Sequence, residues 1–247
     1  MTFHAPSLAL TFPPPFITPF PCRLARIKTP LITINSPNPN PRNPRNRPLL
    51  FSSSPSPSSM GSEAEIERVL WTEEEIARRV AELGAAISAD FKGAVPSPVV
   101  LVGVATGAFL FLADIAREIT VPVAIDFVRA ESYGAGTESS GEPRISGDLK
   151  IDVEGKHVII VEDIVDTGNT LSRLMSHLEK KGPLSVSLCT FLDKPARRRV
   201  NFELVGEGKF YRGFECPDYF VVGYGMDYAE LYRNLPYVGI LKPEMYK

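Results

Sequence analysis

The chain has 247 residues, 44% apolar and 23% charged, with 23 prolines, 18 glycines and three cysteines. Its formal charge of −2 is the sum of two unlike parts: residues 1–59 carry 14 of the prolines, six basic residues and no Asp, Glu or Gly, while the other 188 carry a net −8. A disulfide scaffold is excluded by the few, widely separated Cys22, Cys189 and Cys216, a membrane-spanning chain by the lack of any apolar run near ~20 residues, and a nucleic-acid binder by the anionic body.

Residues 1–59 include Pro13-Pro14-Pro15, an Asn-Pro-Arg run over 38–45 and a Ser-Pro run over 52–59. Proline at this density removes backbone donors, and the apolar residues show no period, so disorder is expected. Two readings stand: a plastid or mitochondrial targeting segment, which such an acid-free, basic, Ser-rich composition suits, or an upstream extension that is not translated. In the second case Met60 is the start and the protein is cytoplasmic. Residues 60–247 are long enough for one domain with its own core.

Thr72-Glu73-Glu74-Glu75 fits a capping box, and Ile76, Val80, Leu83, Ile87 and Phe91 follow at helical spacing. Pro98–Val104 reads as a buried strand that gives way at Ala105-Thr106-Gly107 to a helix with Phe109, Leu112, Ile115, Ala116 and Ile119 facing inward. A second strand spans Val123–Val128 and leads into a polar loop. The third, Val158–Val161, stops at Glu162-Asp163; a helix from about Thr170 to Lys181 ends at Gly182-Pro183. Ser185–Leu192 is the fourth strand and Tyr219–Gly223 the fifth. Apolar strands alternating with helices predict an α/β fold, a parallel-sheet core covered by helices on both faces. Ligands in such folds sit beyond the carboxyl ends of the strands.

Glu162-Asp163-Ile164-Val165-Asp166-Thr167-Gly168-Asn169-Thr170 occupies such an end. Free amides at a helix start attract phosphate, Gly168 allows close approach, and Thr167 and Thr170 offer hydroxyls. The paired acids Glu162 and Asp163 suit sugar hydroxyls or a hard divalent ion. Together these parts describe a site for a phosphorylated sugar; the plainer alternative is an acidic turn that only caps the helix. No G-x-x-x-x-G-K-[ST] loop occurs. A phosphorelay receiver is disfavoured, because two strands and a helix precede this strand.

The segment Val161–Thr170 resembles the 5-phosphoribosyl-1-diphosphate (PRPP) signature of type I phosphoribosyltransferases. Ser132-Tyr133-Gly134 resembles the mobile hood loop of the hypoxanthine-guanine phosphoribosyltransferase family, Gly213–Tyr228 its purine-binding segment, and Tyr232–Tyr237 closes the match. The resemblance covers residues 66–244 and implies transfer from PRPP to hypoxanthine or guanine with release of diphosphate, assisted by Mg2+. It implies Asp166 as general base, Glu162, Asp163, Thr167, Gly168, Asn169 and Thr170 around the sugar phosphate, and Glu162, Asp163 and Asp227 toward the metal. Ala105, Thr106, Gly107, Ser132, Tyr133 and Arg233 would meet diphosphate, and Lys194, Phe220, Val221 and Asp227 the purine. Lys194 can only donate, so it favours a 6-oxo group over the amino group of adenine. Thr106 stands where the family usually has Lys, and Asn169 where some members have Lys. The resemblance also implies a homodimer or homotetramer, with the hood closing over the reactive sugar.

Arg197-Arg198-Arg199 reads as a solvated basic loop, and His157 and His177 as structural. Asp227 and Arg233 have plainer readings as a helix cap and a surface cation. The rival function is a non-catalytic regulator that keeps this fold and binds nucleotide or RNA.

Overall fold

The computed structural model describes residues 64–93, 98–131 and 144–246. The extension 1–59 and the hood residues Ser132 and Tyr133 lie outside them. Strand β1 (Ile66–Trp71) leads into helix α1 (Glu73–Asp90). The capping box forms: the Thr72 amide donates to Glu75 Oε2 at 2.9 Å and the Glu75 amide to Thr72 Oγ1 at 3.3 Å. Ile76, Val80, Leu83 and Ile87 are buried, and Phe91 closes the helix end.

Six strands then build the main sheet: β2 (Val99–Ala105), β3 (Val123–Glu131), β4 (Arg144–Ser146), β5 (His157–Val165), β6 (Ser185–Asp193) and β7 (Phe210–Glu215), in the order β4-β3-β2-β5-β6-β7. Every pairing is parallel except β3 with the short β4. Helices α1 and α2 (Phe109–Glu118) pack on one face through Leu83, Ile87, Phe111 and Ile115 against Leu101, Ile159 and Phe191. Helix α3 (Asn169–Glu179) covers the other face through Leu171, Leu174 and Leu178 against Val102, Ile160 and Leu188. The α/β core with helices on both faces is as expected, with one antiparallel edge strand added.

Three expectations change. β5 does not stop at Glu162-Asp163 but runs on to Val165, since its ladder with β6 continues as far as Val165 opposite Asp193. The fifth parallel strand is β7 rather than Tyr219–Gly223; Tyr211 and Gly213 are buried while Phe210, Arg212 and Glu215 are exposed, so it lacks the apolar run of a central strand. Val221–Val222 is instead β8 of a separate antiparallel sheet, β1-β9-β8, with β9 at Val238–Leu241. In α2 the inward aromatic is Phe111. Phe109 starts the helix and is 56% exposed.

Phe191 is the hub of the first core. Its ring lies 5.4 Å from Phe111, 5.6 Å from Phe214 and 4.7 Å from Tyr224. Such a fully enclosed aromatic leaves a cavity that its neighbours fill only in part when it is cut back. Phe191→Ala should therefore cost about 3–5 kcal/mol, read as a lower midpoint in urea unfolding; a loss below about 1 kcal/mol would contradict this packing.

Candidate active site

The carboxyl ends of β5 and β6 carry the site. Between β5 and α3 the chain turns through Asp166, Thr167 and Gly168. Gly168 sits at the helix N-cap with φ +87°, and a Cβ there would overlap the Val200 carbonyl. That left-handed position favours glycine. The N-cap Gly168 has no side chain to cap α3, and the Asn169 amide makes only a long contact, 3.5 Å to Thr167 Oγ1; the helix start faces a recess of about 70 Å³ lined by Glu162, Asp166, Thr167, Gly168 and Thr170. An acidic turn serving only as a helix cap is not what forms. Asn169 begins α3.

Adjacent strand residues point to opposite faces, and this separates the two acids. Glu162 opens on the phosphate recess, whereas Asp163 lines a larger cavity of about 440 Å³. Burial, and then the neighbouring Asp163 charge, hold the Glu162 carboxyl well above the usual range; its Oε2 has no hydrogen-bond partner. Burial likewise lifts Asp163 from 3.8 to about 6; amide donors from Ile164 and its own backbone and the Arg233 charge pull the other way, and Asp227 adds to the rise. The loop Ala105-Thr106-Gly107 packs onto this acid: the Ala105–Thr106 peptide is cis, and a Cβ on Gly107 would overlap the Asp163 carboxylate. Thr106, in place of the familiar Lys, is exposed. On the other side, Gly225 lies against the Gly107 carbonyl.

The larger cavity gathers most of the remaining expected residues. Lys194 follows β6 directly, is 8% exposed, and its Nζ donates to the Tyr219 carbonyl at 2.6 Å. Phe220, Val221 and Asp227 line the same space with Asp166 and Lys194. Asp227 caps a turn rather than a helix, accepting from the Glu230 amide at 2.9 Å, and pairs with Arg233 Nη2 at 2.9 Å. Arg233 also donates to the Gly225 carbonyl at 2.8 Å, so it braces the turn beside Gly107 and is not a plain surface cation. Ser132 and Tyr133, the expected hood contacts, fall outside the described residues.

Two residues that sequence reasoning passed over stand in this wall. Tyr246 stacks on Phe220 with ring centroids 4.7 Å apart; as a single aromatic near the carboxyl end, it carries no periodic signal. Arg197 pairs with Asp166 through Nε at 3.0 Å, and Arg198 pairs with buried Asp193. The amides of Arg199 and Val200 both donate to the Thr167 carbonyl at 3.0 Å. The triple-arginine run is thus a brace under the phosphate turn rather than a solvated loop. Its start three residues after Lys194, in a strand-end segment, was the one available hint. His157 shares a 2.7 Å hydrogen bond with Ser185 and is structural, as expected.

Because the folded Asp163 binds its proton more tightly than the unfolded chain, its share of stability is present below about pH 4 and is lost as pH rises through about 6. Asp163→Asn should be more stable than the parent, the gap opening between pH 4 and 6 and levelling above it at on the order of 2 kcal/mol. Urea unfolding across that range checks this. A gap independent of pH would refute it.

Comparison with known proteins extends the local match to the whole domain. Residues 71–229 match the phosphoribosyl transferase domain family. The hypoxanthine-guanine phosphoribosyltransferase of Bacillus subtilis is 44% identical over 183 residues, 74% of this chain and 97% of that protein. The bifunctional protein TilS/HprT of Listeria innocua is 47% identical over 182 residues, and there the chain spans only 27% of the relative's length. A crystal structure of a hypoxanthine phosphoribosyltransferase from Staphylococcus aureus superimposes with a TM-score of 0.69 at 42% identity, covering 77% of this chain and 99% of that one. On this identity and coverage the chain belongs to the phosphoribosyltransferases, among the hypoxanthine-guanine phosphoribosyltransferases.

Proposed function

We propose that this domain transfers the phosphoribosyl group of PRPP to N9 of hypoxanthine or guanine, giving IMP or GMP and diphosphate. One observation carries the reading. Val165 and Asp193 are partners in the β5–β6 ladder, and the Lys194 amide donates to the Val165 carbonyl at 2.9 Å. Asp166 and Lys194 therefore leave neighbouring strands side by side, facing one cavity. A 6-oxopurine carries O6 and N7 on one edge, and this acceptor–donor pair is matched by an ammonium next to a carboxylate.

Lys194 donates to O6 while the Asp166 carboxylate takes the proton from N7 as N9 bonds to the sugar. Phe220 stacks on the ring and the Val221 carbonyl accepts from the purine edge. The first amides of α3, with Thr167, Gly168, Asn169 and Thr170, hold the 5′-phosphate. The Ala105–Gly107 loop and Arg233 hold diphosphate, joined by Ser132 and Tyr133 of the hood. Glu162 serves the ribose hydroxyls.

Magnesium fits this donor set. Among the described residues no group of three or more His, Cys, Asp or Glu side chains converges, but Asp163 and Asp227 face the same cavity and the Asp227 charge raises the cost of ionising Asp163. One or two carboxylates completed by water and substrate phosphates are what this ion takes. When bound, it neutralises charge developing on the leaving diphosphate. The rival regulatory reading gains no support, since Asp166 and Lys194 are both in place.

Turnover assays with PRPP, magnesium and each of hypoxanthine, guanine, xanthine and adenine test this reading. Product is expected with hypoxanthine and guanine and not with adenine, and Asp166→Asn should bind PRPP yet lose about 100-fold or more in rate. No product with any base would overturn the enzyme reading, and product with adenine alone would overturn the role of Lys194.

The domain is further proposed to work as a homodimer or homotetramer. Ile125 and Phe127 on β3 are each 45% exposed beside α2, an apolar patch that a second copy would cover. Light scattering should give a multiple of the 27.2 kDa chain, reduced by Phe127→Glu; a monomer at micromolar concentration would refute it. Residues 1–59 are proposed as an organelle-targeting segment where translation starts at Met1, with the cytoplasm as the location of chains that start at Met60.

A further inference from the structure

We propose that Arg197 is the positioning residue of the proton-accepting carboxylate, an inference that rests on the reading of Asp166 as the general base. Arg197 Nε donates to Asp166 Oδ1 at 3.0 Å, and the same nitrogen lies 3.7 Å from Asp218 Oδ1. All three residues line the cavity that holds Lys194 and Phe220. The guanidinium therefore spans the wall from the base to the rim.

The backbone under Arg197 is fixed independently of this bond. A single 3-10 turn, Pro195–Arg197, follows Lys194, and the Arg197 amide donates to the Lys194 carbonyl at 3.1 Å. Arg198 Nε donates to the Asp166 carbonyl at 3.3 Å, and the Arg199 and Val200 amides hold Thr167. The phosphate turn thus keeps its shape without the Arg197 side chain. A half-exposed ion pair also adds little to stability. What the Arg197 bond does control is the rotation of one carboxylate.

A carboxylate has two oxygens, and a general base works best when a third group holds it in the productive rotamer. With Oδ1 occupied by Nε, Oδ2 is the oxygen left to receive the N7 proton. That proton passes from N7 to Oδ2 as the N9–C1′ bond forms and the C1′–diphosphate oxygen bond breaks, and it leaves to solvent after the nucleotide departs. Asp218 has a matching task. The cavity must also admit a strongly anionic donor, and a free guanidinium would swing to its phosphates. Asp218 holds Arg197 at the base end of the cavity.

The test is a double-mutant cycle on the full chain, read as single-turnover nucleotide formation from PRPP, magnesium and hypoxanthine, with PRPP affinity measured by calorimetry. Arg197→Met should slow the chemical step about tenfold or more while PRPP affinity stays within about twofold. Arg197→Lys, which keeps a donor and the charge, should recover part of the rate. Arg197→Met in an Asp166→Asn background should add nothing, because the arginine acts through that carboxylate. Retained PRPP binding shows that the variant is folded, and Arg197→Gln replaces it if Met is not tolerated. An Arg197→Met enzyme at the parent rate, or one that slows Asp166→Asn by the same factor as the parent, overturns this role alone. An Asp166→Asn enzyme at the parent rate overturns the base assignment and this role with it.

Discussion

Burying two adjacent carboxylates at the end of a strand is costly, and the site is arranged around that cost. Neither acid has full access to water, and like charges at this spacing oppose ionisation. The alternation of the strand sends Glu162 toward the phosphate recess and Asp163 toward the larger cavity, so the pair is divided between two ligand spaces. Gly107 lets the cis loop close directly on Asp163, and Arg233, held by Asp227 and the Gly225 carbonyl, supplies the nearest counter-charge. Carboxyls buried at this cost are disposed toward a ligand that brings cations and sugar hydroxyls with it.

The same division gives the two halves of the reaction separate supports. In the proposed reaction the donor meets the start of α3, the turn at Gly168 and the loop at Gly107, whereas the base meets residues that follow β6 and residues of the small antiparallel sheet. The β5–β6 ladder joins the halves, since the register that pairs Val165 with Asp193 also sets Asp166 beside Lys194. A shift of one residue in that ladder would turn one of the two side chains away from the cavity and separate the pair.

Much of this was legible in the sequence because the signals are local. The capping box at Thr72, the apolar runs of the central strands and the acidic turn before α3 are each specified within a few residues. What was missed depends on distant partners. β1 and β9 are short strands from opposite ends of the domain, and neither has a pattern that names the other. β7 is an edge strand with alternating residues, so an apolar run such as 219–223 outcompetes it on composition. The arginine run was misread for a related reason: charge on a loop is solvated by default, and only the fold reveals that Asp166, Asp193 and the Thr167 carbonyl wait beneath it. Phe109 failed because the buried stripe of α2 runs through Ala108, Phe111, Leu112 and Ile115, which leaves its ring on the outer side.

The pairing of β1 with β9, in which Ile66 meets Leu241 and the Lys242 amide donates to the Glu65 carbonyl, has a bearing on biosynthesis. The central parallel strands β2, β3, β5 and β6 lie between Val99 and Asp193 and can pair before β8 and β9 have been added. The small antiparallel sheet closes later, because β8 and β9 follow β7 in the chain and must return to β1. A chain stopped at the end of β7 would thus keep the parallel core yet lack the Phe220 and Tyr246 rings that wall the larger cavity.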